Sequence, residues 1–140
     1  MRILVLEDED SIRRMISALV QARGFEVIGV ASGVKALDEA SKIVPDVAIL
    51  DLMVPGAFDG FEVIRRLRSA AATSKIPIIV ISALDDPTSR EKAMTAGATT
   101  YFVKPFSAIA LLKELEAVKA GKPSPSSSQS SMKAVKPGSE

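Results

Sequence analysis

The sequence predicts an α/β fold: one five-stranded parallel sheet, doubly wound, with helices on both faces. Three observations predict it. Short unbroken apolar runs recur, namely Ile3-Leu4-Val5-Leu6, Val47-Ala48-Ile49-Leu50 and Ile78-Ile79-Val80-Ile81. Runs of this kind belong to strands buried on both faces, as in parallel sheets. Amphipathic segments of helical period lie between them, so strand and helix alternate five times and the crossovers are right-handed. Polar residues stand directly after four of the strands: Glu7/Asp8, Asp51, Ser82 and Lys104.

The elements follow in order. Residues 1–6 form a buried strand that ends on Glu7-Asp8-Glu9-Asp10. Adjacent carboxylates repel, and a cation would relieve that cost. Asp10 suits a helix N-cap. A helix over 11–23 carries Ile12, Ile16, Leu19 and Val20 as its apolar stripe, and Gly24 stops it. Residues 25–30 alternate more, which suits an edge strand. Ser32 caps a helix over 33–43 with Val34, Leu37 and Ala40 inward. Pro45-Asp46 then opens the central strand, which ends on Asp51. A lone aspartate at such a place is commonly a cap or loop residue; one of several on the same rim reads as part of a site.

Asp59 and Glu62 have capping-box spacing, and Phe61, Ile64 and Leu67 face inward on a helix to Ser69, with Arg65, Arg66 and Arg68 as a solvated face. The strand over 76–81 tolerates Pro77 near its start and leads to Ser82. Asp86-Pro87 is a cap followed by proline at the first helical position. The helix to Ala96 has only Ala93, Met94 and Ala96 as anchors, and Gly97 ends it. Residues 99–103 form a short strand before Lys104-Pro105. Ser107 caps the last helix, whose inner stripe is Ala108, Leu111, Leu115 and Val118; Ile109 and Leu112 lie to one side, as exposed aliphatics next to Tyr101. Residues 121–140 contain seven serines and three prolines and read as a disordered tail, which leaves 1–120 as the domain.

Composition narrows the chemistry. The chain has 140 residues, 47% of them apolar, and a formal net charge of +1, so it has no field to hold nucleic acid or an anionic membrane. With no cysteine and no histidine, disulfides, thiolate catalysis, imidazole catalysis and nitrogen or sulfur metal ligands are excluded. A metal here would take oxygen ligands, which suit magnesium, calcium or manganese. No apolar run approaches a membrane span and no signal-peptide pattern is present, so a soluble cytoplasmic protein is expected.

Carboxylates from two strand ends can hold a hard cation, while a hydroxyl and an ammonium can hold the oxygens of a transferring phosphoryl group. Asp51 is then the nucleophile of an acyl-phosphate chemistry. Over residues 1–119 the chain resembles the receiver domain of two-component response regulators. The resemblance is carried by Ile3 to Asp8, Pro45-Asp46 through Asp51, Met53-Val54-Pro55, Asp59-Gly60, Ile76-Pro77 through Ser82-Ala83, Gly97-Ala98 through Tyr101, and Lys104-Pro105-Phe106.

It implies a flavodoxin-like sheet of order 2-1-3-4-5. It implies that Asp51 takes phosphate from a phosphohistidine on a sensor histidine kinase or histidine phosphotransfer protein. Mg²⁺ is then held by Glu7 (through water), Asp8, Asp51 and the Met53 carbonyl. Ser82 binds a phosphate oxygen, Lys104 pairs with the phosphoryl group, Tyr101 changes rotamer with Ser82, and the Lys104-Pro105 bond is cis. Met53 and Leu84 would lie over the phosphoryl group and shield it from water.

The implied role is signalling rather than enzymatic. The face formed by the helix after Ser82, the last strand and the last helix would meet a downstream protein. Two departures stand out: Glu7 replaces the commoner aspartate, and the loop between Pro55 and Asp59 is one residue longer than usual, with Gly56-Ala57-Phe58. Rival readings are a receiver cut from a hybrid kinase or longer regulator, a phosphorylation-independent interaction module, and an aspartyl-phosphate hydrolase. The last usually has a second aspartate where this chain has Met53.

Overall fold

The five strand segments become five parallel strands in a computed structural model that describes residues 1–121. They are β1 (Arg2–Leu6), β2 (Glu26–Val30), β3 (Val47–Leu50), β4 (Ile78–Ser82) and β5 (Thr100–Val103), in the order β2-β1-β3-β4-β5. The expected fold and strand order are both present. The expected tail, from residue 122 onward, lies outside the described residues.

Strand alternation splits the core into two layers. Leu4, Leu6, Ala48, Leu50, Ile78 and Val80 pack on one face, under α2 (Gly33–Lys42), α3 (Gly60–Ser69) and α4 (Pro87–Ala96). Ile3, Val5, Val47, Ile49, Ile79 and Ile81 pack on the other, under α1 (Asp10–Gln21) and α5 (Ala108–Lys119). Every residue of β3 is buried, which explains why its sequence does not alternate. Fully burying one such aliphatic side chain contributes about 1.5–3 kcal/mol. The edge strand β2 has only Val30 buried, as its alternation predicts.

Capping follows the sequence closely. The Ser32, Asp59, Asp86 and Ser107 side chains accept the backbone N–H of Lys35, Glu62, Ser89 and Ala110. Gly97 ends α4 with φ 124°, a conformation that costs glycine little. The cap of α1 differs from expectation. Glu9, not Asp10, is the cap residue; Asp10 lies inside the first turn and pairs with Arg13 at 2.6 Å.

Three side chains depart from the sequence reading. Val34 is 50% exposed, and Ala36 takes the inward place on α2. Leu112 is buried against the α1 face, while Ile109 alone of that pair stays exposed and shares a groove with Arg23, not with Tyr101. Arg68 is only half-exposed. Its guanidinium turns inward at the sheet's amino end and donates to the carbonyls of Gly97 (2.9 Å), Ile76 (2.6 Å) and Ser74 (3.1 Å). Burial lowers its pKa from the ordinary arginine value. It ties α3 to the segment before β4 and to the end of α4, a helix whose own sequence buries only Ala93.

Candidate functional site

Register builds the site. Leu6 pairs with Leu50, so Glu7 and Asp51, the next residues, meet at the carboxyl rim of β1 and β3. Ser82 pairs with Val103, which brings Lys104 to the same rim from β5. Side chains separated by up to 97 positions thus converge where open α/β sheets collect function.

Lys104 is the centre of the arrangement. Its Nζ donates to Glu7 Oε1 at 2.8 Å and to Asp51 Oδ2 at 2.9 Å. Both carboxylates are nearly buried. Burial disfavours the lysine's charge, but hydrogen bonds to Glu7 and Asp51 outweigh it, and the pKa stands above the ordinary lysine value. Burial also pushes the Glu7 carboxyl above its usual value, against the hydrogen bonds from Lys104 and the Glu9 N–H. The backbone N–H of Met53 donates to Asp51 Oδ1 at 3.1 Å, which orients the carboxylate.

Glu7, Asp8 and Asp51 each present an oxygen within 4.8 Å of the others. Three carboxylates against one ammonium leave the pocket net negative. The donor set is oxygen only, so it fits a hard divalent cation. Asp8, exposed, is the side open to solvent.

Ser82 is fully buried at the end of β4, and its Oγ accepts the Leu84 N–H at 3.2 Å. The Tyr101 hydroxyl donates to the Leu84 carbonyl at 2.6 Å, so Ser82 and Tyr101 grip the same short segment. Burial raises the Tyr101 pKa, and Arg90 of α4 covers its ring at 4.8 Å. Met53 is 57% exposed beside Asp51 and Leu84 is half-buried. The Lys104-Pro105 bond is cis, as expected.

Sequence reasoning missed two polar residues, one over Tyr101 and one buried on α5. Arg90 carried no signal, since one arginine on a weakly amphipathic helix reads as surface. Glu114 is buried on α5 and accepts the Thr100 hydroxyl at 2.8 Å. Its signal was available: Glu114 falls within the stripe of Leu111 and Leu115.

A doubly wound parallel sheet whose rim bears three clustered carboxylates, two of them bridged by a lysine, defines an α/β domain with an acidic site at its strand ends. The comparisons name the family. The family model "Response regulator receiver domain" matches residues 3–116, and the chain belongs to that family. It is 36% identical over 117 residues to the phosphate regulon transcriptional regulatory protein PhoB of Rhizobium meliloti, covering 84% of this chain and 51% of that protein. It is 37% identical over 118 residues to the response regulator MprA of Mycobacterium avium, covering 84% of this chain and 50% of that one. The chain therefore spans about half the length of these curated relatives. Among solved structures it is similar to the chemotaxis protein CheY4 of Vibrio cholerae, with a TM-score of 0.78, 35% identity, and coverage of 84% of this chain and 97% of that one. Among the described residues, no helix is long and apolar enough to cross a membrane.

Proposed function

We propose that the chain is a Mg²⁺-dependent phosphoaspartate switch in a histidine-to-aspartate phosphorelay. The observation that carries this reading is Lys104 Nζ, held 2.9 Å from Asp51 Oδ2 in a pocket of three carboxylates. Asp51 is the nucleophile. One of its carboxylate oxygens attacks phosphorus, and the P–N bond to a donor imidazole breaks as the new P–O bond forms. The electron pair stays on the imidazole nitrogen, whose other ring nitrogen carries the proton, so the donor leaves neutral. The product is a mixed anhydride on Asp51.

Each neighbour has a part. Lys104 exchanges its contact with Asp51 for one with an oxygen of the arriving phosphoryl group. Ser82 donates its hydroxyl to another such oxygen, and movement of Ser82 draws on the segment that Tyr101 holds through Leu84. Glu7, Asp8, Asp51 and the Met53 carbonyl would hold Mg²⁺. When bound, the cation supplies the positive charge that offsets repulsion between the acidic pocket and the phosphoryl oxygens. Output then passes through α4, β5 and α5 to a downstream protein. This role is signalling: the only turnover is the domain's own phosphorylation and dephosphorylation. We place it in the cytoplasm, with residues 1–120 as the folded unit.

The test is intact mass after incubation with acetyl phosphate. One added phosphoryl group per chain is expected with Mg²⁺ present and none in excess chelator. Equal labelling under both conditions would refute the metal-dependent reading.

A further inference from the structure

The lengthened loop between β3 and α3 is gripped at Phe58. The Phe58 ring lies under the Arg66 guanidinium, 4.0 Å from ring centroid to Cζ. Arg66 is itself fixed by Glu62 Oε2 at 2.9 Å. On its other side, the Phe58 carbonyl rests on Gly33, the first residue of α2. A Cβ at Gly33 would overlap that carbonyl, and would stand 3.0 Å from Phe58 Cβ and 2.9 Å from Val63 Cγ2. Glycine is needed here for space, not for backbone conformation.

The base of the loop is fastened as well. Gly60 N–H donates to the Leu52 carbonyl at 2.9 Å, and Leu52 and Val54 are buried. With both ends held, the slack goes into the exposed Pro55, Gly56 and Ala57, where Gly56 takes φ 108°. The Met53 amide keeps its hydrogen bond to Asp51.

We infer that Gly33, Phe58 and Arg66 form a clamp that positions the acceptor loop, so that Met53 stays against the acidic pocket although the loop carries one extra residue. The inference rests on the phosphoacceptor reading and adds three positioning residues to it. An intrusion at Gly33 has one soft direction. Val63 is fully buried, so the element that yields is Phe58 with the exposed turn before it. That displacement reaches Met53 through the loop backbone and shifts groups that orient the metal ligands.

The test measures three quantities on the full chain: Mg²⁺ affinity by calorimetric titration, the thermal midpoint without Mg²⁺, and acetyl-phosphate labelling. Phe58→Ala and Gly33→Ala are expected to bind Mg²⁺ about tenfold more weakly, the usual size of a lost orienting partner. Phe58→Tyr keeps the ring and is expected to match the parent. Arg66→Ala is expected to weaken Mg²⁺ about threefold, the scale of an exposed cation–π contact. Because Arg66 is a surface residue, that variant carries the test if Gly33→Ala does not fold. Lower thermal midpoints with unchanged Mg²⁺ affinity in Phe58→Ala and Arg66→Ala would overturn the clamp, since packing alone would then account for the contacts. If the parent binds Mg²⁺ but takes no phosphoryl group on Asp51, the phosphoacceptor reading fails, and the Mg²⁺ affinities still decide the clamp. A parent that binds no Mg²⁺ overturns both.

Discussion

The two ends of the sheet each hold a half-buried cation and treat it in opposite ways. At the amino end, Arg68 meets three neutral carbonyls from two segments. A planar guanidinium with several donors can satisfy such a cluster, and nothing there is left to bind. At the carboxyl end, Lys104 meets two buried carboxylates, with Asp8 beside them. That group is under-neutralised and can still accept a cation or exchange partners. The difference teaches that a half-buried charge points to function when its surroundings remain unbalanced, and to structure when they do not. Arg68 ties neighbouring segments of the fold together; Lys104 is the group we propose to meet an incoming phosphoryl group.

Substitutions can break this contrast, beginning with the largest expected effect. Asp51→Asn should abolish the phosphoryl mass increment altogether. It also removes one of three crowded carboxylates, so its urea midpoint without Mg²⁺ should equal or exceed the parent's. A lower midpoint would show that the pocket is a stabilising element after all. Lys104→Met should slow labelling by acetyl phosphate by about 10²–10³-fold, the usual consequence of losing one positioned charge-stabilising donor. Labelling time courses by intact mass decide this, and a rate near the parent's would detach Lys104 from the chemistry.

The amino end should answer in the other currency. Arg68→Ala leaves several carbonyls without a donor and unties α4, so about 2–4 kcal/mol of stability should be lost in urea unfolding. The folded fraction should still be labelled at the parental rate. Loss of labelling in fully folded Arg68→Ala would erase the division between the two ends.

Smaller effects sharpen the picture at the site. Met53 and Leu84 are apolar neighbours of Asp51 and Ser82 that cannot orient a hydrolytic water. Met53→Asn with Leu84→Glu should speed loss of phosphate about tenfold, the worth of roughly one orienting hydrogen bond. Decay of phosphorylated mass after donor removal, with Mg²⁺ kept constant, measures it. Equal decay would mean that these side chains do not govern water. Ile109→Glu, at an exposed position, should change stability by less than about 0.5 kcal/mol, whereas Leu112→Glu should be severely destabilising because Leu112 is buried. Similar melts for the two would contradict the packing of α5.

Much of this protein is determined by the chain read alone. Unbroken apolar runs specify strands covered on both faces, and parallel strands joined by helices place every strand end on one rim. That is why Glu7, Asp51, Ser82 and Lys104 could be read as one site from positions far apart. Caps at Ser32, Asp59, Asp86 and Ser107 were equally legible, because capping is a local hydrogen bond between residues three apart. Tertiary structure alone decided where the long and charged side chains go. Arg68 looked like its exposed neighbours Arg65 and Arg66, and only the arrival of Gly97, Ile76 and Ser74 gave it carbonyl acceptors. Leu112 and Val34 exchanged their expected environments because helix rotation is set by the partners that a helix packs against. The loop at Phe58 was visible as one residue too many, but its grip on Gly33 and Arg66 depends on α2 and α3 lying side by side. Local pattern fixes which atoms can bond within a few residues; distant charges and packing faces wait for the elements to meet.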